Sequence, residues 1–392
     1  MKFTINRARF IQELQTVQRA ISTKTTIPIL TGVKIELNNE GLNLTGSNAD
    51  ISIETFLAAD DEKAELQIAE IGTIVLQARF FSEIIRRLPE ATFTLEVQEN
   101  HQVLITSGAA HFTVNGLDAD NYPHLPVVEE QNQLKLPVHM LTKLIGETVF
   151  SVSQHESRPI LTGVHFTMSN GQLLAVATDS HRLSQRIVPV ENANTDFDIV
   201  IPGKSLVELS RSLSDEEAEV EISIMENQVL FKTPTMYFYS RLLEGNYPDT
   251  NRLIPTSFNT EITFSVPTFL AAIERASLLS HEGRNNIVRL AIADNSVILY
   301  GNSPEIGKVE EELVYEKVSG DPLEISFNPD YMKDALRAFG DMSIKIQFVS
   351  AIRPFTLEPS EGDVSFIQLI TPVRTCLLYT SPSPRDRSLS RM

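Results

Sequence analysis

The chain has 392 residues, 42% of them hydrophobic and 21% charged, which suits a folded protein of two or three domains and excludes a disordered one. Against 33 Lys and Arg stand 51 Asp and Glu, a net charge of −18 that argues against a conventional nucleic-acid binder. The only cysteine, Cys376, rules out an intrachain disulfide and a cysteine-built metal site. No apolar run approaches the roughly 18 residues of a membrane helix and Met1–Arg7 lacks a signal-peptide core, so a cytoplasmic protein is expected, away from membranes.

In chain order, the first predicted helix carries Phe10, Leu14, Val17 and Ile21 on one face. The segment Ile29-Leu30-Thr31-Gly32-Val33 then opens an alternating apolar and polar run, the pattern of a half-buried strand. It recurs as Ile160-Leu161-Thr162-Gly163-Val164, 131 residues later, and the offset holds without gaps through the matched Asn48 and Asp179. A third copy lies at an offset of 255, where Val33, Leu44 and Gly46 meet Val288, Leu299 and Gly301. Turn sequences such as Asn38-Asn39-Glu40-Gly41 and Ser169-Asn170-Gly171 join strands into hairpins.

A second helix follows in each copy, with core faces Phe81, Ile84 and Leu88, then Leu206, Leu209 and Leu213, then Met332, Ala335 and Phe339. The opening helix recurs through Met140, Leu144 and Thr148 and through Phe269 and Ile273. Asn121-Tyr122-Pro123 returns as Asn246-Tyr247-Pro248. The chain is thus three tandem α+β units, each with two helices on antiparallel sheet: residues 1–127, 128–255 and 256–375, followed by a tail, 376–392, whose Ser, Pro and Arg read as disorder.

Enzyme motifs are wanting. Gly301 to Val309 imitates a phosphate loop, but five residues separate its glycines where four are needed, and a loop is expected there. Asp179, Ser180 and His181 are sequence neighbours, whereas a catalytic triad is assembled from distant segments. The eight His form no metal-ligand spacing, so no metal, cofactor or catalytic residue is expected.

The second helices are basic opposite their apolar faces. With Phe81 at zero, Arg79 and Arg86 fall at about 160° and 140°, and with Leu206 at zero, Lys204 and Arg211 fall at the same angles. Arg337 occupies the third copy, and Arg19 lies opposite the Leu14 stripe of the first helix. Exposed helix faces simply carry charges, as Glu83, Glu208 and Asp334 attest; alternatively, an acidic protein gathers its cations where they meet a polyanion.

Three such units, with MKFTINR, IPILTG, RPILTG, ATDSHRLS, two NYP motifs and the closing Thr371-Pro372-Val373-Arg374, resemble the bacterial DNA polymerase III beta subunit family, the replicative sliding clamps, from Met1 to about Thr375. The resemblance implies two subunits closed head to tail into a ring around duplex DNA, helices lining the hole. It implies that the replicative polymerase, the clamp loader and repair factors dock through short linear peptides in a hydrophobic pocket between the second and third domains. That pocket falls on Leu161, Thr178, His181, Arg182, Leu183, Pro248, Arg252, Leu253, Ile370, Pro372, Val373 and Arg374, with His181, Arg182 and Arg252 orienting polar groups of the peptide.

Lys24 and His155, on equivalent loops, join the arginines as expected DNA-facing residues. Leu278 and Leu279 are placed in the subunit interface, although core leucines would look the same. Positions that are basic in some relatives are Ala109 and His111 here, which leaves an ion-pair-rich interface unexpected. The tail departs from the family and reads as a cloning scar or a reading-frame error rather than a functional extension. A peptide-recruiting scaffold that does not encircle DNA, and more remotely an enzyme, are the alternatives.

Overall fold

The structure, a computed structural model, describes residues 1–22, 24–125, 133–191, 195–214, 218–280, 286–293, 296–362 and 365–374. The expected tail and the first repeat boundary after Pro126 lie outside these residues. By contacts the chain forms two compact units, residues 1–179 with 186–248, and residues 180–185 with 249 onward.

The first repeat runs β1 (Lys2–Asn6), α1 (Arg7–Gln18), β2 (Gly32–Leu37), β3 (Gly41–Ser47), β4 (Ile51–Ala58), β5 (Gln67–Glu70), β6 (Gly72–Gln77), α2 (Ala78–Arg87), β7 (Thr92–Val97), β8 (Gln102–Ser107) and β9 (Ala110–Asn115). The second runs β10 (Gln133–Pro137), α3 (Val138–Thr148), β11 (Gly163–Ser169), β12 (Gln172–Thr178), β13 (Arg182–Pro189), β14 (Phe197–Pro202), α4 (Gly203–Ser212), β15 (Glu219–Ile224), β16 (Gln228–Lys232) and β17 (Met236–Arg241). The third runs β18 (Thr260–Ser265), α5 (Val266–Ser280), β19 (Val288–Ala293), β20 (Ser296–Ser303), β21 (Gly307–Glu312), β22 (Lys317–Gly320), β23 (Leu323–Phe327), α6 (Pro329–Phe339), β24 (Ser343–Phe348), β25 (Phe355–Pro359) and β26 (Phe366–Ile370).

Local chemistry sets these elements. The Asn6 side chain accepts from the amides of Ala8 and Arg9 and so caps α1. Asn328 caps α6 in the same way, with Pro329 at its first position and Gly340, at φ 68°, ending it. Asn170 and Gly171 both take positive φ in the tight turn between β11 and β12. Gly46 and Gly301, matched in the repeat, have one reason: a Cβ on either would come within 2.2 Å of the Val17 carbonyl or 2.7 Å of the Ala276 carbonyl, so α1 and α5 pack directly on bare strand backbone.

Two expectations change. Pro28–Thr31 and Pro159–Thr162 are short 3-10 turns rather than strand, because proline starts a helical turn and each threonine hydroxyl donates back to the proline carbonyl, at 2.8 and 2.7 Å. The strands begin at Gly32 and Gly163. The Gly301–Val309 segment is a hairpin rather than a loop, since β20 and β21 pair from Ile298↔Glu312 to Ser303↔Gly307.

In the N-terminal unit, one sheet has the order β5-β1-β7-β8-β9 and another β10-β15-β16-β17-β4-β3-β2-β6. The second is where two repeats join: β17 pairs with β4 antiparallel, Met236↔Thr55 through Ser240↔Ile51. A single core runs through both repeats, including Phe10, which meets Phe93 and Phe81 edge-on at 5.2 and 5.8 Å. The C-terminal unit has sheets β26-β25-β24-β18-β22 and β21-β20-β19-β23 around its own core, where Phe264 stacks on Phe269 at 4.2 Å. Both α1·α2 and α5·α6 pack as neighbours, as do α3·α4. Among the described residues no helix is long and apolar enough to cross a membrane.

Candidate functional site

The basic helix faces form, but each carries its own counter-charge. Arg79, Arg86, Lys204, Arg211 and Arg337 are all exposed at repeat-equivalent positions. Arg211 pairs with Glu208 at 3.0 Å, Arg337 with Glu274 at 2.9 Å, and Arg79 reaches Glu83 at 4.0 Å. Among the described residues Arg86 and Lys204 make no ion pair. On α6, Lys333 and Arg337 face Asp330 and Asp334, so the cationic excess sits on α2 and α4. Arg19 lies just past α1 and spans the junction of the first two repeats to Glu208 at 3.4 Å, a partner that helical angles alone could not supply.

Lys24 and His155 occupy one local structure, both exposed. In each case a serine two residues earlier accepts from the backbone amide at 3.1 Å and donates to the carbonyl at 3.3 Å: Ser22 for Lys24, Ser153 for His155. The two loops thus present repeat-related side chains from the same turn.

The expected peptide-binding residues divide between the units and are described within each. In the C-terminal unit the His181 carbonyl accepts from the Thr371 amide and hydroxyl, both at 2.9 Å, tying the segment before Pro372 to the start of β13. Tyr331 of α6 stacks beside His181 with ring centroids 6.4 Å apart and lies under the Arg182 guanidinium at 4.7 Å. Arg182 also reaches Asp334 at 2.6 Å with its side chain only 11% exposed, so it braces the aromatic shelf rather than standing free at a rim. Val373 is pinned through its amide to the Ser326 carbonyl at 2.8 Å. Leu183 and Ile370 are buried and support this surface from beneath; Leu253, Arg252 and Arg374 are exposed, and Pro372 and Val373 are half-buried.

In the N-terminal unit Leu161 and Thr178 are buried and Pro248 is exposed. The Thr178 amide donates to the Tyr247 hydroxyl at 3.1 Å, and burial pushes that phenol's pKa well above its ordinary value. Neither Tyr331 nor Tyr247 is among the residues that the sequence places at the site. Tyr247 belongs to a repeated NYP motif, and Tyr331 has an aromatic counterpart in Phe80, two repeats earlier, so both carry a repeat signal.

Leu278 and Leu279 differ. Leu278 projects from the last turn of α5 and is 71% exposed, whereas Leu279 is half-buried. Of the several strands that end a sheet, β9 and β21 leave open edges at opposite ends of the repeat series. In the repeat they correspond to β17 and β4, the strands that pair with each other. Phe112 on β9 and Phe80 on α2, with Ile306 before β21, are large apolar side chains 39%, 58% and 58% exposed near those edges.

Three consecutive domains of one family match this chain. The N-terminal domain of the DNA polymerase III beta subunit matches residues 1–126, its central domain residues 135–249 and its C-terminal domain residues 251–374. The chain belongs to the DNA polymerase III beta subunit family. It is 49% identical to the beta sliding clamp of Bacillus subtilis, over 96% of this chain and 100% of the relative. Identity to the beta sliding clamp of Streptococcus pneumoniae serotype 4 is 48%, over 95% of this chain and 99% of the relative. Among solved structures, the DNA polymerase III beta chain of S. pneumoniae aligns with a TM-score of 0.94 at 48% identity, covering 95% of this chain and all of that one. A sliding clamp from Pseudomonas aeruginosa bound to griselimycin aligns at 0.89 and 26% identity, over 96% of this chain and all of that one.

Proposed function

We propose that this chain is a replicative sliding clamp: a homodimeric ring that encircles duplex DNA regardless of sequence and tethers the replicative polymerase, holding it to its template. It acts in the cytoplasm as a non-catalytic subunit of the polymerase holoenzyme, built from three clamp domains bounded near residues 127 and 255. The observation that carries this reading is the match between the joined pair β4 and β17 and the open pair β21 and β9. A repeat that joins its neighbour edge to edge leaves one unmatched edge at each end of the series. A second copy satisfies both, and an open strand edge is a liability until it is paired.

The same correspondence supports Leu278 as an interface residue. It stands at the repeat position of Arg19, which faces Glu208 on α4; the counterpart of α4 is α2, bearing Phe80 and Glu83. Arg19, Lys24, Arg79, Arg86, His155, Lys204, Arg211 and Arg337 are assigned to the DNA, through weak contacts to phosphates. Sedimentation of the purified chain should give a dimer, and loading onto circular DNA separates the ring from a scaffold that recruits peptides without encircling DNA. A persistent monomer sinks the ring.

For the peptide surface, the side chains of the expected set that support binding are His181, Leu253, Pro372, Val373 and Arg374 on the C-terminal unit, with Tyr331 added as their aromatic floor. Polymerase, clamp loader and repair factors offer short segments whose apolar anchors suit such a surface. His181→Ala with Arg182→Ala, or Tyr331→Ala alone, is expected to weaken binding of a polymerase C-terminal peptide about tenfold, roughly 1.4 kcal/mol, and to leave the dimer intact. Fluorescence anisotropy with equal affinity for wild type and variants would remove these residues from the site.

A further inference from the structure

Resting on the ring reading, the repeat fixes more than which edges meet; it fixes their register. Within each repeat the hairpins align residue by residue. Phe231↔Phe238 corresponds to Ile105↔Phe112, and Gly46↔Ile53 corresponds to Gly301↔Val309. Carrying the observed pairing of β17 and β4 onto the open edges therefore converts Phe238↔Ile53 into Phe112↔Val309, Tyr237↔Glu54 into His111↔Glu310, and Tyr239↔Ser52 into Thr113↔Lys308. Directly opposed side chains must lie on one face of a sheet. They do: Val114 and Val309 both pack against their cores, which puts Phe112 with Val309 on the helix side and His111 with Glu310 on the outer side.

We propose that closure between two copies is proton-linked through this seam, His111 of one protomer lying directly opposite Glu310 of the other. On its own sheet His111 lies opposite Thr106, whose Oγ1 is 3.4 Å from the imidazole Nδ1, with Leu104 diagonal to it and Glu96 one strand further, where Lys2 pairs it at 2.9 Å. Across the seam it faces Glu310, flanked diagonally by Lys308 and Glu312, with Tyr300 of β20 behind Glu310 and Arg289 lying over the Tyr300 ring at 4.5 Å. Glu311 is on the opposite face and is held by Arg275 through Nε at 3.0 Å, a bond that lowers its carboxyl pKa. It is thus committed within its own protomer. His111 is the only titratable or charged side chain on β9, and it meets a strand carrying three glutamates.

A neutral imidazole leaves Glu310 opposite an uncharged donor or acceptor; an imidazolium supplies the missing cation. Histidine changes charge between pH 5 and 8, and an opposed charge pair across strands changes an equilibrium by roughly 1.5- to 5-fold. Both seams of the ring open when it dissociates to monomers, so the effect enters twice. The sign is fixed: the dimer tightens as pH falls.

The dimer dissociation constant, measured by sedimentation or mass photometry of the full chain, should fall about tenfold from pH 8 to pH 6. His111→Gln should flatten the profile at the weak level and His111→Lys at the tight level. Glu310→Gln should flatten it too. A wild-type profile without slope, or a slope that survives His111→Gln, overturns the proton linkage while leaving the ring standing. In a Cys376→Ser background, Thr113→Cys with Lys308→Cys should cross-link between protomers and Thr113→Cys with Glu312→Cys should not. The reverse result overturns the register. A dimer indifferent to Phe112→Asp, or no dimer at all, overturns the seam and the ring reading with it.

Discussion

Leu278→Asp is expected to convert the ring into folded monomers. Leu278 is 71% exposed in the isolated chain, so its replacement removes little from the core and the unfolding midpoint should stay near that of the wild type. In the proposed ring the same position would meet α2 of the second copy, as Arg19 meets Glu208 within the chain, with Phe80 contributing apolar surface and Glu83 a carboxylate. An aspartate there forfeits the apolar contact with Phe80 and meets the Glu83 carboxylate, which Arg79 and Arg87 at 4.0 and 3.8 Å only partly offset, at a cost of about 2 kcal/mol or more per seam. Two seams per ring weaken the dimer by well over a hundredfold. Leu279→Asp is the poorer test, because Leu279 is half-buried within its own protomer and its loss would mix folding with association. Sedimentation beside a thermal melt reads both quantities, and an undisturbed dimer takes Leu278 out of the interface.

The contrast between those two leucines shows where sequence reasoning stops. Helical spacing puts Phe269 and Ile273 on the core face of α5, and both are buried; it says nothing of the last turn, where Leu278 stands exposed beside the half-buried Leu279. The threefold architecture was legible because long-range identity such as Ile29–Val33 against Ile160–Val164 survives in side chains that the fold constrains, Gly46 and Gly301 above all. Within those repeats, Pro28–Thr31 is a helical turn although an alternating run follows it, because proline sets its start, and Gly301–Val309 is a hairpin although its glycines imitate a phosphate loop. Pairing partners were not legible at all. That β17 joins β4 depends on edges meeting at a distance of some 180 residues, and no local pattern encodes it.

The site divides along the same line. Arg86 and Arg211 could be placed on exposed faces by angle, but Arg19–Glu208 and Arg182–Asp334 are tertiary pairs that turn apparent free cations into braces. Charge counting along one helix overstates what a partner would meet, and the counter-charges on α6 reduce the share that Arg337 can contribute.

Such a distribution bears on how an acidic protein holds an acidic polymer. With −18 overall and cations partly neutralised by their own helices, direct affinity for linear DNA should be poor and should vanish as salt competes for the phosphates. Retention must then come from topology. Clamps placed on a nicked circle by a clamp loader and ATP should survive a salt wash that strips ordinary ionic binders, and should leave once the circle is cut and its ends are free. Arg86→Glu with Arg211→Glu should lower loading several-fold without changing the dimer, whereas Arg337→Glu should do less, because Asp330 and Asp334 already cancel the cations of α6 while α2 and α4 keep an excess. Loss of the salt-resistant complex on cutting is the decisive reading: if cutting releases nothing, the chain holds DNA by contact, and encirclement is wrong.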